Sequence, residues 1–163
     1  MKINSEQEMM EFAASILSRA ASGRPIAMGG RRSSSRCRAP EALRKNATQQ
    51  ALLIELIGDV GVGKTTFVKG FARELGIKEE ITSPSFTISK SYAVPDGLTL
   101  VHYDFYRLDD PGIMSEDLAE NLNDQNKIVI IEWSDLIQDI LPENHTIINI
   151  KYNDDGSREV ETK

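Results

Sequence analysis

The stretch ALLIELIGDVGVGKTTFVKGFAREL, residues 51–75, decides the fold. Residues 51–57 form an apolar, β-branched run ending at Gly58, as a buried strand does. Residues 64–75 place Phe67, Val68, Phe71, Ala72 and Leu75 on one helical face before Gly76 stops the run. Between them Gly58, Asp59, Val60, Gly61, Val62, Gly63, Lys64 and Thr65 match the pattern G-x-x-x-x-G-K-[ST], with strand and helix on the sides the motif requires. The chemistry needs these residue types. Glycines let successive backbone N–H groups point inward around a phosphate, Lys64 supplies a mobile cation for the outer phosphates, and Thr65 offers a hydroxyl to Mg²⁺. A side chain at Gly63 blocks that approach.

A phosphate loop of this kind needs a carboxylate at a strand end to orient the Mg²⁺ shell. Two acids follow apolar runs: Asp104 in LTLVHYD and Glu132 in IVIIE. Each is a candidate metal ligand beside Thr65, and one of the two is expected to orient the attacking water while Lys64 holds the β- and γ-phosphates. His102 is expected to pack or hydrogen-bond. Arg107 contacts a phosphate or pairs with a carboxylate. Residues 82–87, TSPSFT, are either a segment that senses the γ-phosphate or a turn that starts a strand. Trp133 either belongs to the core or covers the nucleotide.

Outward from this centre, Ser5 with Glu8 forms a capping-box pattern, and Met9, Phe12, Ala13, Ile16, Leu17 and Ala20 follow at helical spacing. Residues 29–50 are rich in Arg, Ser and Gly and are expected to be a basic, low-complexity insert. Residues 88–94 and 98–106 flank a Pro-Asp-Gly turn as an antiparallel hairpin, and 146–152 with 157–162 form a second. Ile113, Met114, Leu118 and Leu122 predict a helix, 127–133 a buried strand and 134–140 a short helix. The sum is a single α/β domain over 1–163: three layers, a phosphate-loop NTPase-like fold, and a central sheet that mixes parallel and antiparallel strands.

The chain has 163 residues, with 19 Lys and Arg against 25 Asp and Glu, a net charge of −6. No apolar run approaches the ~20 residues a bilayer crossing needs, and no apolar signal segment opens the chain, so a cytoplasmic protein with no membrane partner is expected. The single cysteine, Cys37, excludes a disulfide framework. The charge is uneven. Arg24, Arg31, Arg32, Arg36, Arg38, Arg44 and Lys45 face only Glu41 over 24–45, so that stretch carries +6 and the remainder −12.

Taken together, the S-x-x-E start of the first helix, GDVGVGKTTF, TSPSFT, HYDFYRLDDP and IVIIEW resemble the TsaE (YjeE) family, small ATPases of bacterial tRNA threonylcarbamoyladenosine (t6A) biosynthesis. The resemblance covers residues 1–23 and 51–152. It implies that Lys64, Thr65 and Thr66 are phosphate-loop positions, that Asp104 is the acid of an H-x-D-x-Y-R motif, and that Glu132 and Trp133 are its E-W pair. It also implies ATP and Mg²⁺ as cofactors, weak ATPase activity, TsaD and TsaB family partners, and contact with tRNA only through that complex. The insert at about 29–50 departs from the family pattern, as does Leu118 where a glycine is usual.

Three rivals stand beside an ATPase subunit. A small-molecule kinase needs an acceptor pocket and a lid, for which the chain outside the insert has little room. A GTPase needs an aspartate two residues after Lys127, where Val129 stands. A nucleotide-gated binding module would dock its partner on ATP occupancy alone.

Overall fold

The computed structural model describes residues 1–22, 43, 50–106, 108, 110 and 112–163. Most of the basic insert, with Cys37, and also Arg107 lie outside the described residues. Seven strands form one sheet: β1 (Lys2–Ile3), β2 (Leu52–Ile57), β3 (Ser89–Ala93), β4 (Thr99–Asp104), β5 (Lys127–Glu132), β6 (Thr146–Tyr152) and β7 (Arg158–Thr162). Their order is β1-β7-β6-β2-β5-β4-β3. The β2–β5, β2–β6 and β4–β5 pairs are parallel, and the three outer pairs are antiparallel. The mixed sheet and both hairpins agree with the sequence expectation.

Strand β2 lies between two parallel neighbours and is covered on both faces, which is why its sequence is nearly continuous in apolar residues. Alternation then sorts the sheet's side chains. Ile54, Leu56, Leu100, Ile128 and Ile130 join the core under α1 (Glu6–Ala21) and α2 (Lys64–Glu74). Leu53, Val101, Tyr103, Val129 and Ile131 join a second core under α3 (Gly112–Leu122). Helices on both faces make the three layers.

Helix α1 starts as its sequence predicts: Ser5 caps the Glu8 amide at 3.1 Å. The Glu8 carboxylate reaches back to the Asn4 amide at 2.7 Å, one residue before its usual target in a capping box. The helix lies across α2, where the Phe12 and Phe67 rings are 5.9 Å apart. Two details differ from expectation. Residues 134–140 form two short 3₁₀ helices, Ser134–Leu136 and Gln138–Ile140, instead of one continuous helix, because Ile137 is the one apolar side chain fully buried there. Strand β1 was not anticipated, since two residues are too few to show a period. No helix among the described residues is long and apolar enough to cross a membrane.

The α1–α2 crossing depends on Gly70, where an added Cβ would stand 2.5 Å from Met10 Cα. Alanine gains about 1 kcal/mol in helix propensity, but the backbone shift it forces costs about 1–3 kcal/mol. Gly70→Ala is therefore expected to lower the urea midpoint, and a midpoint at or above wild type would show that α1 yields freely.

Candidate nucleotide-binding site

The loop from β2 to α2 takes a shape that only its glycines allow. Gly58 has φ 152° and lies under β6, where a Cβ would meet the Ile150 carbonyl at 2.3 Å. Gly63 caps α2 at φ 114° and offers no side-chain cap, so the first-turn N–H groups are left for an anion. Lys64 curls back over the loop, with Nζ donating to the carbonyls of Gly58 at 2.7 Å and Asp59 at 3.0 Å. The same Nζ lies 3.9 Å from Glu132 Oε2 and 4.5 Å from the centre of the Trp133 ring. Lys64 is only 4% exposed. Burial lowers its pKa, the carboxylates of Glu132, Asp104 and Asp59 pull it up, and the net effect is a lowered value.

Asp104 and Glu132 end the adjacent parallel strands β4 and β5 and are register partners. Alternation puts both on the α2 face, with His102 beside them. The Thr65 hydroxyl donates to Glu132 Oε1 at 3.5 Å, and His102 Nε2 reaches the same oxygen at 3.0 Å. His102 is fully buried and its Nδ1 has no partner among the described residues, an arrangement that suits an Nε2–H donor fixing the carboxylate. Asp104 is held differently. Its Oδ2 accepts from Ser83 Oγ at 2.8 Å and from Ser85 Oγ, while its Oδ1 accepts from the Tyr106 amide at 3.1 Å. The TSPSFT segment thus reaches the site through its hydroxyls and Asp104. Thr65, Asp104 and Glu132 present only hard oxygen donors, which fit Mg²⁺. Trp133 packs its ring 4.8 Å from Tyr106 and rims the site.

One part of the support escaped sequence reading. Glu55, the charged residue inside the apolar run of β2, points to the α3 face and is 1% exposed. It accepts from Ser134 Oγ and from Gln138 Nε2 at 2.7 Å, and faces His145 Nε2 at 2.9 Å; His145 Nδ1 lies 2.6 Å from the Pro142 carbonyl. This network anchors the chain just after Trp133, whose left-handed backbone at φ 60° costs about 1–3 kcal/mol in a non-glycine residue. An acid amid six residues that otherwise read as a buried strand was the available signal.

Burial raises the Glu55 pKa, but the hydrogen bonds from Ser134, His145 and Gln138 outweigh it and leave it below the ordinary carboxylate value. A depressed folded value adds stability above the unfolded pKa of about 4.3, and that stability is lost as pH falls through the folded value. The melting-temperature advantage of wild type over Glu55→Gln is expected to shrink as pH drops from neutral into the acid range; a constant gap would mean the charge is not what the network holds.

Comparison with known proteins places the chain in a family. Residues 3–160 match the family model described as "Threonylcarbamoyl adenosine biosynthesis protein TsaE". A Haemophilus influenzae protein named tRNA threonylcarbamoyladenosine biosynthesis protein TsaE is 36% identical over 116 residues, 71% of this chain and 73% of that one. A Bacillus subtilis protein of the same name is 45% identical over 111 residues, 66% of each chain. The crystal structure of Bacillus subtilis YdiB superposes with a TM-score of 0.65 at 31% identity, over 98% of this chain and 80% of that one. With a family model that matches residues 3–160 and relatives of that name at 36% and 45% identity, this chain belongs to the TsaE family.

Proposed function

We propose that this protein binds ATP with Mg²⁺ at the β2–α2 loop and hydrolyses it slowly, as an accessory subunit in threonylcarbamoyl modification of adenosine 37 in tRNA. The observation that carries this reading is the convergence of Lys64, Thr65, Asp104 and Glu132 at one end of three parallel neighbours, facing an uncapped helix N-terminus. Loop amides and Lys64 hold the β- and γ-phosphates. Thr65 and Glu132, already within reach of one another, would hold Mg²⁺, and His102 keeps the Glu132 carboxylate from turning away. When bound, Mg²⁺ neutralises charge developing on the phosphate oxygens. Asp104, which gathers Ser83 and Ser85, orients the water that attacks the γ-phosphorus and takes its proton as the bond to the β,γ-bridging oxygen breaks and ADP leaves with that oxygen.

The names of the relatives support the tRNA-modification role. In this reading, from the motif resemblance alone, TsaD and TsaB family proteins are the partners that activate hydrolysis. The described fold outside the basic insert is acidic, a poor surface for a polyanion, which favours tRNA contact through the complex.

Trp133 is the protein's single tryptophan, so its emission reports on the site directly. Titration with Mg-ATP is expected to change that emission in wild type and to leave Lys64→Ala unchanged; equal responses would refute nucleotide binding at this loop. In a reconstituted t6A assay with TsaB and TsaD, Asp104→Asn is expected to bind ATP normally but to lose turnover by about 100-fold or more, whereas Glu132→Gln is expected to need more Mg²⁺ for half-maximal rate. A Glu132→Gln protein that hydrolyses nothing yet supports full modification would make this a nucleotide-gated module instead.

A further inference from the structure

The phosphate loop is held from outside by the C-terminal hairpin, and we propose that Tyr152 and Arg158 are positioning residues that set the loop's peptide planes for phosphate before any nucleotide arrives. Tyr152, the last residue of β6, donates its hydroxyl to the Gly61 carbonyl at 2.7 Å. Arg158, the first residue of β7, donates Nε–H to the Val62 carbonyl at 2.7 Å. The two are cross-strand partners, and the Arg158 guanidinium carbon lies 5.3 Å from the centre of the Tyr152 ring, so each side chain supports the other.

In a trans peptide the carbonyl and the following N–H point to opposite sides. Holding the Val62 carbonyl outward therefore aims the Gly63 N–H away from the hairpin. Holding the Gly61 carbonyl outward does the same for the Val62 N–H, which closes across the loop onto the Asp59 carbonyl at 3.3 Å. Such bracing matters because Gly61 and Gly63 have φ of 79° and 114°, in a loop that glycine leaves free to rearrange. The hairpin is a sound support: β6 pairs directly with β2, and β7 is pinned by β1 through the Ile3 to Arg158 pairing. Arg158 also backs Gly63, where an added Cβ would lie 3.5 Å from its Nε.

For its ligand the inference rests on the nucleotide reading above, but the bracing belongs to the nucleotide-free protein. The test compares Tyr152→Phe, Arg158→Met and Arg158→Gln in the full chain. Glutamine carries its amide nitrogen at the same number of bonds from the backbone as the arginine Nε, so it restores the donor without the charge, while methionine keeps length alone. Tyr152→Phe and Arg158→Met are each expected to weaken Mg-ATP binding by about fivefold to tenfold, the effect of one lost hydrogen bond. The loss should fall on KM rather than kcat, and amide hydrogen exchange at residues 61–63 of the nucleotide-free protein should quicken. Arg158→Gln is expected to recover the affinity and the slow exchange. Wild-type affinity and exchange in the Phe and Met variants would overturn the proposal. So would a Gln variant as weak as Met, which would assign the effect to the guanidinium charge on phosphate. Wild type and Lys64→Ala binding Mg-ATP equally would sink the nucleotide reading, and the exchange rates would then decide the brace by themselves.

Discussion

The register of three parallel neighbours, β2, β5 and β4, is the constraint on which everything else in this molecule depends. Successive side chains of a strand point to opposite faces, so a fixed register decides which layer each residue enters. In the observed register His102, Asp104 and Glu132 lie on the α2 face with Lys64, while Glu55 and Tyr103 lie on the α3 face among their own hydrogen-bond partners. Sliding β4 or β5 by one residue would carry its acid into the second apolar core and turn Tyr103 or Ile131 toward the loop. The same pairing that protects the hydrophobic layers therefore protects the polar site, and neither can be lost alone.

The electrostatics of the site follow from that placement. Asp104 and Glu132 are each 3% exposed, and two buried carboxylates at neighbouring strand ends repel unless donors and a cation face them. Lys64 is that cation, and the carbonyls of Gly58 and Asp59 give it two further partners. Serine hydroxyls and a backbone amide surround Asp104, whereas Thr65 and His102 surround Glu132. The different partners give two similar acids different surroundings, and this is the basis for assigning them different roles in the proposed reaction.

Support for this face comes partly from the other. The chain passes from Glu132 on the α2 side, through the strained backbone of Trp133, to Ser134 bound to Glu55 beneath the sheet. Ion and hydrogen-bond contacts to a buried acid are strong when every lone pair is used, and here Ser134, Gln138 and His145 use both oxygens of Glu55. The Trp133 ring is thereby held where it meets Tyr106 and the Lys64 ammonium.

The sequence by itself determined the elements and the identity of the site. The apolar run before Gly58, the amphipathic run after Lys64, and the acids ending two further apolar runs are local patterns, governed by glycine stereochemistry and side-chain periodicity, and they mark out the loop and the two carboxylates that the fold brings together. It was silent where contacts are long in sequence and short in space. Residues 134–140 look helical in a window but lack the inward apolar side chains a helix needs, and β1 is two residues whose strand geometry is supplied by β7. Ser83 and Ser85 against Asp104, His102 beneath Glu132, Glu55 with His145, and Tyr152 with Arg158 on the loop all depend on which strands become neighbours and in what register. No spacing along the chain encodes that choice locally, because it is made by the simultaneous burial of two apolar layers, and only the tertiary structure decided it.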